Sequence, residues 1–199
     1  MMNRFLIFCV TLIAFFSFTK TSFAEDDFTF GVEAGWAFSD IKAEESARLL
    51  ASLCGCTVSY TYDTGTAVLK GVGQLRLDEQ SYVEAGYFIT SDLEATYVMG
   101  ANSATESYNI HGAEASYNFT SGGFDLKIGA HFSTVDGNAS ITIGNTAYDL
   151  GTLVDSGSGY VAGVGYDMDG GYQIRATYYG NLGGESDNTA TLVSAVWSF

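Results

Sequence analysis

The sequence predicts an all-β chain, an antiparallel up-and-down β-barrel of eight membrane-spanning strands. Three observations predict it: a period-two alternation in eight segments, connections that alternate between short and long, and charges confined to one face. Composition agrees. The chain has no proline, 24 glycines and 15% aromatic residues. Proline is excluded from paired strands, and glycine with aromatics suits a tightly curved sheet.

The N-terminus reads as an export signal ahead of the barrel. Arg4 supplies a positive charge, Phe5 to Phe18 are almost unbroken in apolarity, and Ser22-Phe23-Ala24 places small residues at a cleavage box. Acidic Glu25-Asp26-Asp27 follows at once. The apolar run is too short and wrongly flanked for a permanent membrane helix. Residues 1–24 are therefore expected to be a cleaved signal peptide, and residues 25–199 one barrel domain. No later run is long and apolar enough for a spanning helix.

The strands follow in order. Phe28, Phe30, Val32, Ala34, Trp36 and Phe38 alternate with Thr29, Gly31, Glu33, Gly35 and Ala37, so bulky and small or polar sets point to opposite faces. Leu69, Leu75 and Leu77 oppose Lys70, Gln74 and Arg76; Val83, Ala85, Tyr87 and Ile89 oppose Glu84, Gly86 and Thr90. Ala113, Ala115, Tyr117 and Phe119 oppose Glu114, Ser116 and Asn118, and Phe124, Leu126, Ile128 and Phe132 oppose Asp125, Lys127, Gly129 and His131. Tyr160, Val164, Tyr166 and Met168 oppose Gly163, Gly165 and Asp167. Tyr172, Ile174, Ala176 and Tyr178 oppose Gln173, Arg175 and Thr177; Val193, Ala195, Trp197 and Phe199 oppose Ser194 and Ser198. Each segment is about ten residues, the length of a tilted spanning strand.

Three connections are tight: Asp78-Glu79-Gln80, Thr120-Ser121-Gly122-Gly123 and Asp169-Gly170-Gly171. They carry hairpin residues. The others, residues 39–66, 91–106, 134–158 and 182–188, are long or polar. This is the layout of bacterial outer-membrane barrels, with short periplasmic turns and long extracellular loops. In the first long loop, Asp40 is placed to cap a short helix over Ile41–Leu53 ended by Gly55. Residues 141–150 have the strand propensity to extend the third hairpin above the membrane.

Eight strands enclose an interior just wide enough for side chains, so the bulky rows face outward, where only lipid tolerates them. Lys70, Arg76, Lys127 and Arg175 fall on the inner face with Glu33, Glu84, Glu114, Asp125 and Asp167. Charges so confined predict a hydrogen-bonded ion-pair network. Phe28, Tyr117, Phe119, Phe124, Tyr172, Trp197 and Phe199 lie near the turn side, where an interfacial aromatic girdle belongs.

Residues 25–199 hold six Lys and Arg against 23 Asp and Glu, a formal charge of −17. That excludes nucleic acid as a partner. It is compatible with outer-membrane lipid and lipopolysaccharide, whose anionic groups divalent cations bridge. Cys54 and Cys56 remain after export, and either a disulfide or two free thiols is open: the compartment permits the bond, but a Cys-Gly-Cys ring is small.

In pattern over residues 25–199, and in the terminal Val193-Ser194-Ala195-Val196-Trp197-Ser198-Phe199, the chain resembles the eight-stranded outer-membrane barrels that include the OmpA transmembrane domain and OmpX. The alternating Val193, Ala195, Trp197 and Phe199 look like that family's C-terminal assembly signal. The resemblance implies recognition by periplasmic chaperones and the barrel-assembly machinery. OmpA adds a peptidoglycan-binding domain; the sequence here ends at Phe199, so that tether role is not expected.

Other motifs carry little chemistry. A lipid A deacylase family of this architecture uses a His and a Ser two apart, as in His131-Phe132-Ser133. Parity turns both inward here and Thr134 stands where that motif has Asn, so no catalysis is expected. His111 reads as a structural or rim residue. Asp136-Gly137-Asn138 and Asp167-Met168-Asp169-Gly170 lack the ligand spacing of calcium loops and read as turns. No metal or other cofactor is expected. Three functions follow in rank: a scaffold whose loops bind a partner at the cell exterior or on a host, a small gated pore, and a lipid-modifying enzyme.

Overall fold

The computed structural model describes residues 27–39, 43–168, 171–186 and 188–199. Residues 1–24, read as the signal peptide, lie outside them, as do Asp40, Lys42 and the turn residues Asp169 and Gly170. Among the described residues ten strands form: β1 (Phe28–Ser39), β2 (Ser59–Tyr62), β3 (Gly65–Arg76), β4 (Ser81–Thr90), β5 (Leu93–Met99), β6 (Asn102–Ser121), β7 (Phe124–Ile143), β8 (Thr146–Met168), β9 (Tyr172–Gly180) and β10 (Thr189–Ser198). One helix, α1 (Ala43–Cys54), follows β1.

Eight of the strands close a ring. The order runs β6-β4-β3-β1-β10-β9-β8-β7, and β7 pairs back onto β6. Every pairing is antiparallel. The closing seam joins β10 to β1, and the terminal residue extends it: Phe199 N–H donates to Phe30 O at 2.8 Å. The tight turns and the C-terminus lie at one end, the periplasmic end by the connection rule.

The outward face is apolar, as the alternation requires. Leu69, Leu126, Ile128, Val164, Ile174 and Val193 are all exposed. Aromatics bound this belt on the turn side: Phe124 packs edge-on against Tyr166 at 5.0 Å, and Tyr172 lies 6.4 Å from Trp197. Trp36, Phe38, Phe132 and Tyr160 are exposed toward the other end. Among the described residues no helix is long and apolar enough to span a membrane; the strands do so.

Two expectations are corrected. Residues 91–106 and 134–158 are not loops, and the hairpin extension expected over residues 141–150 forms as the tip of two much longer strands. β5 and the first half of β6 form one hairpin, and β7 and β8 continue to a tight turn at Gly144-Asn145. Residues 146–159 run past the last β8–β9 pair, Tyr160–Gly180, roughly 45 Å of strand at ~3.3 Å per residue. β2 adds to β5 at the edge. The strands escape the sequence pattern because above the lipid the outward face meets water, and the inward face, covered by α1, carries small and polar side chains beside apolar ones, so the contrast of bulky against small faces weakens. Pairing nonetheless continues through rows such as Thr61–Thr96–Thr105–Ser140, rich in β-branched side chains.

The second correction concerns the interior, which is not uniformly small or polar. Its loop-side part is an apolar cluster of Ala37, Val68, Phe88, Ile110, Val161, Tyr179, Leu182, Ala190 and Leu192. Leu182 descends from a 3-10 turn, Leu182–Gly184, between β9 and β10. Glycine makes room for the large rings. A Cβ on Gly112 would come 2.9 Å from Phe88 Cζ, and one on Gly159 would come 2.5 Å from His131 Nε2.

Candidate functional site

Strand register assembles the interior charges. Glu33 on β1 stands opposite Lys70 on β3, Gln74 opposite Glu84, and Glu114 opposite His131. The inward parity that buries one member therefore buries its neighbours. Glu33, Lys70, Glu84, Glu114, Lys127 and Arg175 are all less than 5% exposed.

Glu84 is the hub. Arg175 Nη1 reaches its Oε1 at 2.9 Å and Nη2 reaches Oε2 at 3.1 Å; Lys127 Nζ lies 2.7 Å from Oε1 and Gln74 Nε2 3.0 Å from Oε2. Lys70 Nζ sits 2.8 Å from Glu114 Oε1 and pairs closely with Glu33; Lys127 also pairs closely with Glu114. Tyr179 donates to Glu114 Oε2 at 2.7 Å, and Ser194 to Glu33 Oε1 at 2.6 Å. Three carboxylates thus face three cations in one neutral layer. Paired and hydrogen-bonded, such groups tolerate burial that none survives alone.

The remaining predicted charges lie nearer the turn end. Asp125 is buried and joins the layer indirectly, accepting a short hydrogen bond from Tyr82, which itself accepts from Arg175 at 3.3 Å. Asp167 accepts from Gln173 at 2.9 Å and is exposed. Arg76 is exposed too, and both line a vestibule of about 350 Å³ at the turn end. The structure therefore brings Glu33, Lys70, Glu84, Glu114, Lys127 and Arg175 together, tethers Asp125, and leaves Arg76 and Asp167 at the mouth. Tyr82, Tyr179, Gln74, Gln173 and Ser194 complete the layer; their parity with Glu84, Arg175 and Lys70 was the available signal.

At the turn itself, the Ser81 hydroxyl and the Gln80 N–H, the latter at 2.8 Å, hold the Asp78 carboxyl below its ordinary range.

His131 and Ser133 are buried in the lumen but face different partners. His131 Nε2 donates to Gly180 O at 2.9 Å, while Ser133 Oγ accepts from Gly183 N–H at 2.9 Å. His111 lies at the rim, 3.6 Å from Asp136. Among the described residues no three His, Cys, Asp or Glu are placed to share a metal.

At the opposite end a head rises from the barrel. The inward parity of β6 and β7 continues upward through Ile110–Val135, Tyr108–Gly137, Glu106–Ala139 and Ala104–Ile141. α1 covers this face: Ala47 packs with Ala95, Tyr97 and Ala104, flanked by Leu50, Val58, Met99 and Ile141. The helix ends in a bond between Cys54 and Cys56, with Gly55 at φ 62°. Glu106 accepts from Tyr108 at 2.6 Å and from Tyr97 at 3.1 Å. Burial, reinforced by Glu106, pushes the Tyr97 hydroxyl up to about 12 and raises that of Tyr108, so both remain donors.

No family model matches the chain. No curated protein matches its sequence. Solved structures do match in fold. Ail, the attachment invasion locus protein of Yersinia pestis, crystallised with the heparin analogue sucrose octasulfate, aligns at TM-score 0.52 and 11% identity over 87% of this chain and 99% of its own. A second structure of Ail gives TM-score 0.51 and 12% identity over 86% and 98%. Neisserial surface protein A is similar at 17% identity over 84% and 94%, with TM-score 0.41. The ring, its apolar belt and the likeness to Ail define an eight-stranded β-barrel of the outer-membrane type.

Proposed function

We propose that the barrel is a closed anchor that displays its head, α1 with the extended β2, β5, β6, β7 and β8, for binding at the cell exterior or on a host. The observation that supports this most is the asymmetry of the chain: the lumen is filled by an ion-pair layer and then an apolar layer, while the longest strands continue far above it. Residues 1–24 act as the cleaved export signal. Val193, Ala195, Trp197 and Phe199 present the assembly signal to the chaperones and the barrel-assembly machinery; lipopolysaccharide surrounds the belt. The role is binding rather than catalysis, since His131 and Ser133 are engaged by separate backbone groups.

The sulfated ligand of the Ail crystal does not suit this head. Across residues 39–66, 91–111, 134–159 and 181–188 there are twelve Asp and Glu but only two basic residues, Lys42 and Arg48. Arg48 is paired with Glu44. Like charges repel a polyanion and favour a cationic partner.

Grafting residues 39–66, 91–111 and 134–159 onto a short-looped barrel tests the reading. Cells displaying the graft should gain attachment to host-cell or matrix surfaces over cells displaying the recipient barrel. A correctly displayed graft without gain on any surface would contradict the role. The second reading, a small gated pore, draws on the vestibule that opens toward the charge layer. The apolar layer beyond it disfavours passage.

A further inference from the structure

Between α1, the barrel mouth and the 3-10 turn lies a cavity of about 170 Å³. Its floor is apolar: Leu93, Ile110 and Leu182 are each at most 7% exposed. Its walls carry Glu106, Asp155 and the ring of Tyr108. Among the described residues no Lys, Arg or His pairs with either carboxylate. The two tyrosine hydroxyls hold Glu106 in place but bring no positive charge.

Each element suits one chemistry. Two uncompensated carboxylates attract a cation, an aromatic ring favours it further, and an apolar floor accepts the methylene stem that carries it. The cavity is smaller than the 300 Å³ or more of typical small-molecule sites. Its size suits one side chain of a larger partner rather than a free ligand.

We propose that this cavity is a docking site for a lysine or arginine side chain of a cationic peptide segment. The inference rests on the reading of the head as the binding part of the molecule and names the class of partner it takes. Net acidity draws the segment in, and the cavity seats one of its side chains. Lipid phosphates and sulfated glycans are excluded from the same place by charge.

The test is fluorescence-anisotropy titration of the full folded barrel, in nanodiscs of zwitterionic lipid, with labelled hexa-arginine, using hexaglutamate as the control peptide. Hexa-arginine should bind and hexaglutamate should not. Glu106→Gln with Asp155→Asn should weaken binding ~10-fold, the effect expected of losing two charge contacts at a site where Glu106 is partly buried and Asp155 lies at the exposed rim. Glu94→Gln with Asp149→Asn removes the same charge from outside the cavity and should weaken it less than ~3-fold. Glu106→Gln keeps one acceptor oxygen for the two tyrosine hydroxyls, which share a single oxygen, and the heat-induced gel shift of the barrel verifies folding of both variants. Equal weakening in the two variants would overturn the cavity in favour of diffuse attraction. Absence of hexa-arginine binding, with the grafted head still conferring attachment, would overturn the cationic partner while leaving the binding role intact.

Discussion

The lumen and the head treat charge in opposite ways. In the lumen, Lys70, Lys127 and Arg175 meet Glu33, Glu84 and Glu114 so closely that they form a buried neutral layer. In the head, Glu106 and Asp155 face a cavity with no described cation paired to them. Of the six basic residues after position 24, four, Lys70, Arg76, Lys127 and Arg175, have inward parity in the barrel. Acid left without a counter-charge is therefore a property of the outer surface. In the proposed role, neutralised charge holds the barrel shut and unneutralised charge is left for a partner.

The difference breaks most easily at the hub. Arg175→Met should strip Glu84 of its bidentate partner and lower stability by ~3–5 kcal/mol, as for other broken buried pairs. The urea midpoint of unfolding in detergent reads this directly, and an unchanged midpoint would show that the layer bears no structural load. Gly112→Val attacks the apolar layer instead. The Cβ of residue 112 would lie 2.4 Å from Phe132 O and 2.9 Å from Phe88 Cζ. A loss of ~1–3 kcal/mol on the same assay is expected of overpacking.

The smallest effect belongs to the turn. Asp78 has a folded pKa below its ordinary 3.8, so it contributes stability above that value and loses it as pH falls through the lowered one. Asp78→Ala should lower the midpoint slightly at neutral pH and leave it equal to the parent's in strong acid. Equal midpoints at both pH values would remove the turn from the stability of the barrel.

The membrane part was legible in the sequence because lipid enforces a rule: bulky residues outward, the rest inward. Trp36, Leu69, Ile128 and Val193 obey it, and their partners in the ring follow by parity. Residues above the lipid obey no such rule. Ser103, Thr105 and Ser140 read as loop because they are small polar residues on the outward face, where water replaces lipid, although they pair in register. Within the lumen, parity located the charges but not their heights. Arg76 and Asp167 share the inward face with Lys70 and Arg175 and yet sit at the mouth, since depth follows from distance to the turn, two residues in each case, and not from alternation. Phe88 was hidden for another reason. Space for the Phe88 ring depends on Gly112 of the neighbouring strand, as that for His131 depends on Gly159, and no single segment reveals such a pairing.

Single-channel recording on the folded protein in a planar bilayer tests most directly whether the barrel is a closed anchor. With insertion verified, no steady current should appear, and Arg175→Ala should remain silent because the layer of Phe88, Leu182 and Leu192 still closes the loop side. Steady openings of the unaltered protein would contradict the closed lumen and move the function from the head to the charges inside.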